Sequence, residues 1–280
     1  MCAAVLLLGL ACAQPRQRPV IAVPAAHADG EERLGLIAPY ELRSRPDDAV
    51  VRIVTDVTCT GTLIAEDLVL TAHHCVAARD PKGKPLSEDR HPDDITIEIG
   101  GDYLPWGEVG VRTIVSPDCG YTSGDGDIAI LVLTRKLIGI TTMVPRLASP
   151  PRQPDANAER KEDRVGEEVA PIGFGRCASS SGGIRRIWRK EGRVRSVMSG
   201  QFVAAVSICP GDSGAPVYSI PTGEVIGVVS ASVMDGDENT VGTSYFTRVD
   251  VWKNLFSAAR EIADGAGASE LPPFRTCKTR

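Results

Sequence analysis

The sequence predicts an all-β protein made of two halves and followed by a single C-terminal helix. From Val50 onward, short β-branched or alternating runs recur between Gly, Pro and Asp residues, a pattern typical of a β-sandwich or barrel. The same pattern resumes after a charged, proline-rich stretch at 149–165, which we interpret as a linker. Apolar residues then recur at helical spacing from Val251 to Ile262, behind an Asp250 that can cap the first turn.

Length and composition narrow the class of protein before any motif is considered. The chain has 280 residues, which is enough for one large or two small packed units. Its 31 Lys and Arg residues stand against 36 Asp and Glu, for a formal net charge of −5. A balance of this kind argues against both an acidic disordered chain and a polycation that neutralises phosphates. We therefore expect no nucleic-acid partner.

The first thirteen residues predict export. They contain an apolar run of about a dozen residues, too short for a membrane-spanning helix, which needs about 20. The run ends in Ala11-Cys12-Ala13, a small-x-small cleavage pattern, so 1–13 is predicted to be a signal peptide and 14–35 a propeptide or flexible lead-in. The alternative is a bacterial lipoprotein with a lipid anchor on Cys12. No later stretch predicts a transmembrane helix.

The six cysteines outside that segment indicate disulfides rather than a metal site. An even number of cysteines behind an export signal is typical of a disulfide-bonded protein. None of the six shows the C-x-x-C spacing of a zinc site, so we expect no metal and no other cofactor. Their spacing alone does not choose among the many possible pairings. They are Cys59, Cys75, Cys119, Cys177, Cys209 and Cys277.

Three distant segments hold the residue types needed for acyl transfer. A serine hydroxyl is a poor nucleophile near neutral pH, so it needs a histidine to accept its proton and a carboxylate to hold that imidazole. The chain order His, Asp, Ser is one of the known arrangements. The segments are Thr71-Ala72-His73-His74-Cys75, Asp127-Ile128-Ala129-Ile130-Leu131 and Gly211-Asp212-Ser213-Gly214-Ala215-Pro216.

Together with three further segments, this sequence resembles the trypsin/chymotrypsin-like serine endopeptidases, most closely their bacterial secreted members. The further segments are Cys59-Thr60-Gly61-Thr62-Leu63-Ile64, Gly173-Phe174-Gly175 and Val228-Val229-Ser230. All six occur in the family's order between roughly Leu36 and Ala263. The resemblance implies two six-stranded antiparallel β-barrels, at 36–148 and 166–249, then a helix at 250–263 and a tail at 264–280.

The resemblance also implies a role for each residue of the site. His74 is the general base, Asp127 its orienting carboxylate and Ser213 the nucleophile, while the backbone amides of Gly211 and Ser213 bind the oxyanion. His73 is the alternative candidate for the base, but the family places its histidine directly before the cysteine, which favours His74. Such a mechanism predicts activity that rises between about pH 6 and 7, as the imidazole loses its proton.

Three disulfides follow from the resemblance and from what remains after it is applied. They are Cys59–Cys75, Cys177–Cys209 and Cys119–Cys277. The first closes a loop beside the general base and is worth roughly 3 kcal/mol in the chain-entropy model. The second replaces the family's usual pair, whose partner this sequence lacks. The third would tie the C-terminal tail to the first barrel.

Asp212 is predicted to be linked to activation. In the family its buried carboxylate pairs with an N-terminal ammonium that proteolysis releases, because a buried charge needs a partner. This sequence lacks the usual Arg- or Lys-Ile-Val-Gly-Gly cleavage segment. Cleavage after Arg33 or after Gly35 would each give an apolar N-terminus, and an internal arginine is the remaining alternative as partner.

The predicted substrate pocket is small or medium-sized and uncharged. Trypsin-like enzymes that cleave after Arg or Lys carry an aspartate six residues before the nucleophile, where this sequence has Ser207. We therefore expect no basic preference. The residues predicted to line the pocket are Ser207, Ile208, Ser230, Ala231, Ser232 and Ser244.

These expectations combine into one predicted function. The chain is expected to be a monomeric serine endopeptidase that acts on protein or peptide substrates and is secreted, periplasmic or held at the cell surface. One alternative is a non-catalytic or zymogen-locked homologue that acts as a binding protein. An esterase with the same three residues is another.

Overall fold

Two closed β-barrels of six antiparallel strands each make up most of the computed structural model, as predicted from the sequence. The structure describes residues 45–100, 104–118, 126–148, 164–177, 183–233 and 242–271, with the backbone alone at 36–37 and 232–233. The predicted signal peptide and lead-in, as well as Cys119 and Cys277, lie outside these residues. The two barrels are confirmed, whereas their exact limits, 36–148 and 166–249, stay a prediction.

The strands are short, and many of them contain the β-branched or alternating runs from which they were expected. In chain order they are β1 (Leu36–Ile37), β2 (Val50–Val54), β3 (Thr58–Ala65), β4 (Leu68–Thr71), β5 (Ala77–Arg79), β6 (Pro85–Asp89), β7 (Thr96–Ile99), β8 (Gly107–Val115), β9 (Ala129–Leu133), β10 (Leu137–Ile138), β11 (Glu168–Gly173), β12 (Ile187–Trp188), β13 (Gly192–Val197), β14 (Gln201–Ala205), β15 (Pro216–Ser219), β16 (Val225–Val233) and β17 (Thr243–Arg248).

The first barrel closes in the order β2-β3-β4-β9-β8-β7. In β7, buried Ile97 and Ile99 alternate with partly exposed Thr96 and Glu98, as expected for a strand with one face on the core. β9 lacks this alternation, and all five of its residues are buried. The reason is that the C-terminal helix packs on β9, β4 and β8, so β9 is covered on both faces.

The second barrel closes in the order β11-β13-β14-β17-β16-β15, with a further pairing between β15 and β11. β12 adds a short strand to the edge of β11. Phe202 and Phe246 face each other across β14 and β17, and their rings stack with centroids 5.0 Å apart in the barrel core. Outside the barrels, β1 runs parallel to β10, and β5 and β6 form an antiparallel pair.

The C-terminal helix α1 (Lys253–Ala263) follows a 3-10 turn at Asp250–Trp252. Asp250 does not act as the expected cap, because its carboxylate binds Arg248 at 2.8 Å and lies 3.3 Å from Arg164. Among the described residues, no helix combines the length and the apolar character needed to cross a bilayer. The buried face of α1 consists of Leu255, Phe256, Ala258, Ala259, Ile262 and Ala263.

Arg260 of α1 fastens the helix to the first barrel through Asp67. The guanidinium donates to both carboxylate oxygens of Asp67, at 2.7 and 2.9 Å, and Asp67 is buried in the turn between β3 and β4. Burial alone would raise the pKa of Asp67, but the hydrogen bonds and the charge of Arg260 outweigh burial and hold that pKa below its ordinary value.

We expect Asp67→Asn to lower the free energy of unfolding near pH 7 by about 1–2 kcal/mol, because Arg260 loses a charged acceptor while staying partly in water. Since the pKa of Asp67 is lower in the folded state, its contribution is complete above about pH 4 and is lost as the pH falls through the lowered value. Urea unfolding of both proteins should therefore show converging stabilities below about pH 4. The control is Asp264→Asn, which removes a more exposed acceptor of the same arginine. A difference that stays constant down to low pH would contradict this explanation.

Candidate active site

The loops that carry the three predicted segments come together where the two barrels meet. His74 lies in a 3-10 turn at His73–Cys75 directly after β4, and Asp127 lies two residues before β9. Ser213 lies in the loop before β15 of the second barrel. The hydroxyl of Ser230, on β16, donates to Asp127 Oδ2 at 2.5 Å. The second barrel therefore reaches the carboxylate that the first barrel carries.

Asp127 fixes the imidazole of His74. Its Oδ1 accepts from the backbone amide of His74 at 2.9 Å, and its Oδ2 accepts from Nδ1 at 2.8 Å. Burial alone would raise the pKa of Asp127, but the charge of His74 and the hydrogen bonds from His74 and Ser230 outweigh burial and hold that pKa below its ordinary value. Because Nδ1 donates to a carboxylate, the neutral ring carries its acceptor lone pair on Nε2.

His73, the alternative candidate for the base, belongs to a separate buried network. Its Nε2 lies 2.9 Å from Oδ1 of Asp89, and the same carboxylate oxygen accepts from the hydroxyl of Ser116 at 2.7 Å. The side chain of His73 is completely buried. The structure therefore brings His74, and not its neighbour, together with Asp127.

Two alternate amides in the loop 211–214, called the nucleophile loop after the predicted role of Ser213, have no acceptor among the described residues. Backbone carbonyls accept from the amides of Asp212 and Gly214, at 2.9 and 2.8 Å. In the part of the chain that the structure describes, the amides of Gly211 and Ser213 donate to no protein group. Gly211 has a φ of +100°, a conformation that residues with a side chain rarely adopt. This turn can present both amides to one oxygen atom.

Thr60 of β3 ties the nucleophile loop to the first barrel. Its amide donates to the carbonyl of Ser213 at 2.9 Å. Its hydroxyl donates to the carbonyl of Gly211 at 2.7 Å and accepts from the amide of Phe174 at 3.0 Å. One residue thus holds the carbonyls of both neighbours of Asp212, that of Gly211 through its hydroxyl and that of Ser213 through its backbone amide.

The close approach at Gly214 places Ser213 beside the strand that leads to His74. A methyl group on Gly214 would lie 2.1 Å from Thr71 Oγ1 and 2.9 Å from the amide of Ala72, and the φ of Gly214 is +79°. Only glycine satisfies both conditions. The serine loop therefore packs directly against the end of β4, next to the histidine.

Asp212 has an internal cationic partner in Arg189, which follows β12. Arg189 Nε donates to Asp212 Oδ2 at 2.7 Å and Nη2 donates to Oδ1 at 3.1 Å. The amides of Gly175 and Cys209 also donate to this carboxylate, each at 2.8 Å. Of the three partners left open by the sequence, an internal arginine is the one that the structure contains.

Two of the expected disulfides lie in the described part of the chain. Cys59–Cys75 and Cys177–Cys209 are joined, with Cα atoms 6.0 and 5.0 Å apart. In that part of the chain, Cys59, His74 and Cys75 form the one group of potential metal ligands that lie within reach of one another. Because the two sulfur atoms are bonded to each other, neither is a thiolate available to a metal.

The residues predicted to line the pocket lie on or after three neighbouring strands of the second barrel. Ser207 and Ile208 follow β14 and are buried, while Ala231 on β16 is exposed. The backbones of Ser232 and Ser244 are paired between β16 and β17. The hydroxyl of Ser244 donates to a backbone carbonyl at 2.9 Å.

Two residues contact the site although the sequence predicts no positioning role for them, and a third has an unexpected contact. Thr60 belongs to one of the motifs, and Ser230 is predicted to line the pocket but also binds Asp127. Arg189 stands in a run of charged residues that resembles a solvated surface. The signal for its role is its buried acidic partner, Asp212, and the fold is what places that partner next to it.

The two barrels, with these His, Asp and Ser loops meeting at their junction, define the chymotrypsin-like class of serine endopeptidases. A family model described as Trypsin matches residues 38–255. The chain belongs to this trypsin family.

Three solved structures with the same fold are each less than 20% identical to this chain. A Glu endopeptidase in complex with MPD is 17% identical with a TM-score of 0.59, covering 80% of this chain and 94% of its own. Mouse neuropsin, a serine protease expressed in the limbic system of the brain, is 16% identical with a TM-score of 0.58, covering 78% and 97%. Human heparin binding protein is 19% identical with a TM-score of 0.57, covering 81% and 96%.

A curated relative shares more sequence over a shorter region. The peroxisomal leader peptide-processing protease of Mus musculus is 28% identical over an alignment of 192 residues, and the match covers 66% of this chain and 27% of the relative. The chain thus spans about a quarter of the length of that protein.

Proposed function

We propose that Ser213, His74 and Asp127 form a catalytic triad with which this endopeptidase hydrolyses peptide bonds through an acyl-enzyme intermediate. The observation that supports the proposal most is the double hydrogen bond from His74 to Asp127, at 2.9 and 2.8 Å. It fixes the tautomer and the orientation of the ring that a general base requires.

In the proposed first step, Ser213 Oγ attacks the carbonyl carbon of the scissile peptide while its proton passes to Nε2 of His74. Asp127 stabilises the imidazolium that forms. The new oxyanion accepts hydrogen bonds from the amides of Gly211 and Ser213, and the loss of one such donor raises the barrier by about 3 kcal/mol. The intermediate then collapses, the C–N bond breaks, and His74 gives its proton to the leaving amine. Water attacks the acyl ester by the same route and regenerates Ser213.

The preferred substrate side chain next to the scissile bond is proposed to be small or medium-sized and uncharged. None of the predicted pocket residues carries a charge. The hydroxyls of Ser230 and Ser244 donate to protein acceptors, and their oxygens are neutral, so neither supplies the negative charge that a substrate cation stripped of its water requires. The buried Ser207 stands where an aspartate would anchor Arg or Lys.

The proposal includes export of a monomer to an oxidising compartment, outside the cell, in the periplasm or at the cell surface. The two disulfides support it, because such bonds persist mainly in those compartments. Cleavage of a signal peptide at 1–13 and a lipid on Cys12 stay alternatives for the N-terminus. Intact mass and N-terminal sequencing of the exported protein distinguish them.

Covalent labelling with a fluorophosphonate probe tests the proposed nucleophile. We expect the label on the peptide that contains Ser213, with a rate that rises with pH as the proposed general base loses its proton. Ser213→Ala should abolish labelling, whereas Ser87→Ala, at an exposed position on β6, should not change it. A folded wild-type protein that takes up no label, or a rate that is flat from about pH 5 to pH 8, would contradict the proposal.

Substrate class separates the proposed peptidase from an esterase. Cleavage of unfolded casein, lost together with ester hydrolysis in Ser213→Ala, supports the peptidase. Ester turnover without any peptide cleavage would indicate the esterase instead.

A further inference from the structure

We infer that Arg189 is a positioning residue of this endopeptidase: its guanidinium supplies the cation that Asp212 requires, so the nucleophile loop takes its competent shape without a newly released N-terminal ammonium. This inference rests on the proposed function of Ser213. It replaces the predicted precursor activated at its N-terminus, because Asp212 already has a cationic partner of the kind that such a precursor would supply.

The acceptor sites of the Asp212 carboxylate are already occupied. An ionised carboxylate has about four lone-pair positions. Two guanidinium N–H groups of Arg189 occupy two of them, and the amides of Gly175 and Cys209 occupy the others. The side chains of Arg189 and Asp212 are 2% and 0% exposed. An ammonium group would have to displace one of these donors to reach Asp212.

The Asp212 carboxylate is also closely packed, so little space is left around it. A methyl group on Gly175 would lie 2.4 Å from Cγ of Asp212, and one on Gly173 would lie 2.4 Å from Oδ1. Arg189 also donates through Nη2 to the carbonyl of Gly175 at 2.6 Å. The end of β11, Arg189 and Asp212 therefore form one packed unit, which gives a physical reason for the Gly173-Phe174-Gly175 segment.

This unit controls the two amides proposed to bind the oxyanion. Asp212 stands between Gly211 and Ser213, and its own carbonyl accepts from the amide of Ala215 at 2.8 Å. Without the guanidinium, the carboxylate would be a buried charge with no cation, a state that a loop avoids by moving the charge to water. Such a movement would turn the amides away from a common oxygen. The loss would fall on kcat more than on KM, because the oxyanion exists only in the transition state and intermediate.

The first experiment compares Arg189→Met with the matched control Arg193→Met in the full chain. Arg193 pairs with Glu168 on the surface of the same barrel, and both side chains are exposed. We expect Arg189→Met to lower kcat and the fluorophosphonate labelling rate at least about 100-fold, as the loss of an oxyanion donor does, with KM changed less than about threefold. Arg193→Met should stay within about twofold of wild type. A folded Arg189→Met protein with wild-type kcat would overturn the inference.

The second experiment removes the N-terminal ammonium from the native protein. Transamination with pyridoxal phosphate converts the α-amine of whatever N-terminus the protein bears into a ketone, and it leaves Arg189 unchanged. We expect the labelling rate of the product to stay within about twofold of the untreated protein. Loss of labelling would show that an N-terminal ammonium is required and would overturn the inference.

The two experiments keep failure of the inference separate from failure of the proposed function. If the wild-type protein itself takes up no label, the proposed nucleophile is wrong. If Arg189→Met does not fold, as circular dichroism would show, the transamination experiment alone decides. Rescue of the labelling rate of Arg189→Ala by added guanidinium ion, but not by sodium ion, would further support the inferred role.

Discussion

Replacing His74 by Gln should lower kcat/KM for peptide and ester substrates by roughly a million-fold, while the same change at the adjacent His73 should leave the folded enzyme within about tenfold of wild type. The physical reason is the direction of each ring. His74 donates through Nδ1 to Asp127, so its Nε2 is the nitrogen that can accept the serine proton. His73 uses its Nε2 for Asp89.

The two variants are matched in chain position and in the substituted residue. His73→Gln removes a buried ring and is expected to lower stability, so kcat/KM is compared per folded molecule, with folding followed by urea unfolding. Burial of His73 is complete, whereas the side chain of His74 is 15% exposed. Equal losses of activity in the two folded variants would contradict the assignment of His74 as the base. A larger loss at His73 would reverse it.

Asp127→Asn should lower kcat about 10,000-fold with little change in fold. Oδ1 of Asp127 accepts from the backbone amide of His74, so the carbonyl oxygen of an asparagine must occupy that position. Its NH₂ group then takes the place of Oδ2 and donates to Nδ1. The imidazole is thereby forced into the tautomer that carries its proton on Nε2, where it cannot accept one from Ser213.

The matched control makes the same change beside the other histidine. Asp89→Asn alters the partner of His73, and we expect kcat to stay within about threefold of wild type. Ser230→Ala separates the remaining contact, because it removes the hydroxyl that donates to Asp127 Oδ2 without changing the tautomer. If Asp127→Asn retained more than about a tenth of wild-type kcat, Asp127 would not be the residue that orients the base.

Much of the fold could be predicted because its strands carry local signals. Runs such as Val50–Val54 and Ala129–Leu133 are β-branched and bounded by breakers, and α1 shows helical spacing. The start of the helix could not be predicted, since Asp250 binds Arg248 and Arg164 and a 3-10 turn precedes α1. Closure of the second barrel depends on the pairing of β11 with β15, strands that are far apart in sequence and have no shared local pattern.

The candidate site shows the same division between local and distant signals. The residues proposed to react stand in recognisable segments, since their chemistry demands particular side chains at each point. Thr60 and Arg189 bind Gly211 and Asp212 of the nucleophile loop, which are distant from them in sequence. The residues next to Thr60 and Arg189 in the chain therefore give no sign of these contacts. Arg189 in particular resembles a surface arginine until the fold places Asp212 next to it.

Thr60 and Ser230 form hydrogen bonds across the junction of the two barrels, so neither half of the chain alone contains the complete proposed active site. The proposed base and its carboxylate belong to one half, whereas the proposed attacking alcohol and the amides beside it belong to the other. A nascent chain that ends after the first barrel lacks Ser213, so it cannot carry out the proposed hydrolysis. The proposed activity therefore arises late in synthesis. In a refolding experiment, the peptidase activity would report the fraction of molecules in which both barrels have folded, and not the fraction with one folded barrel.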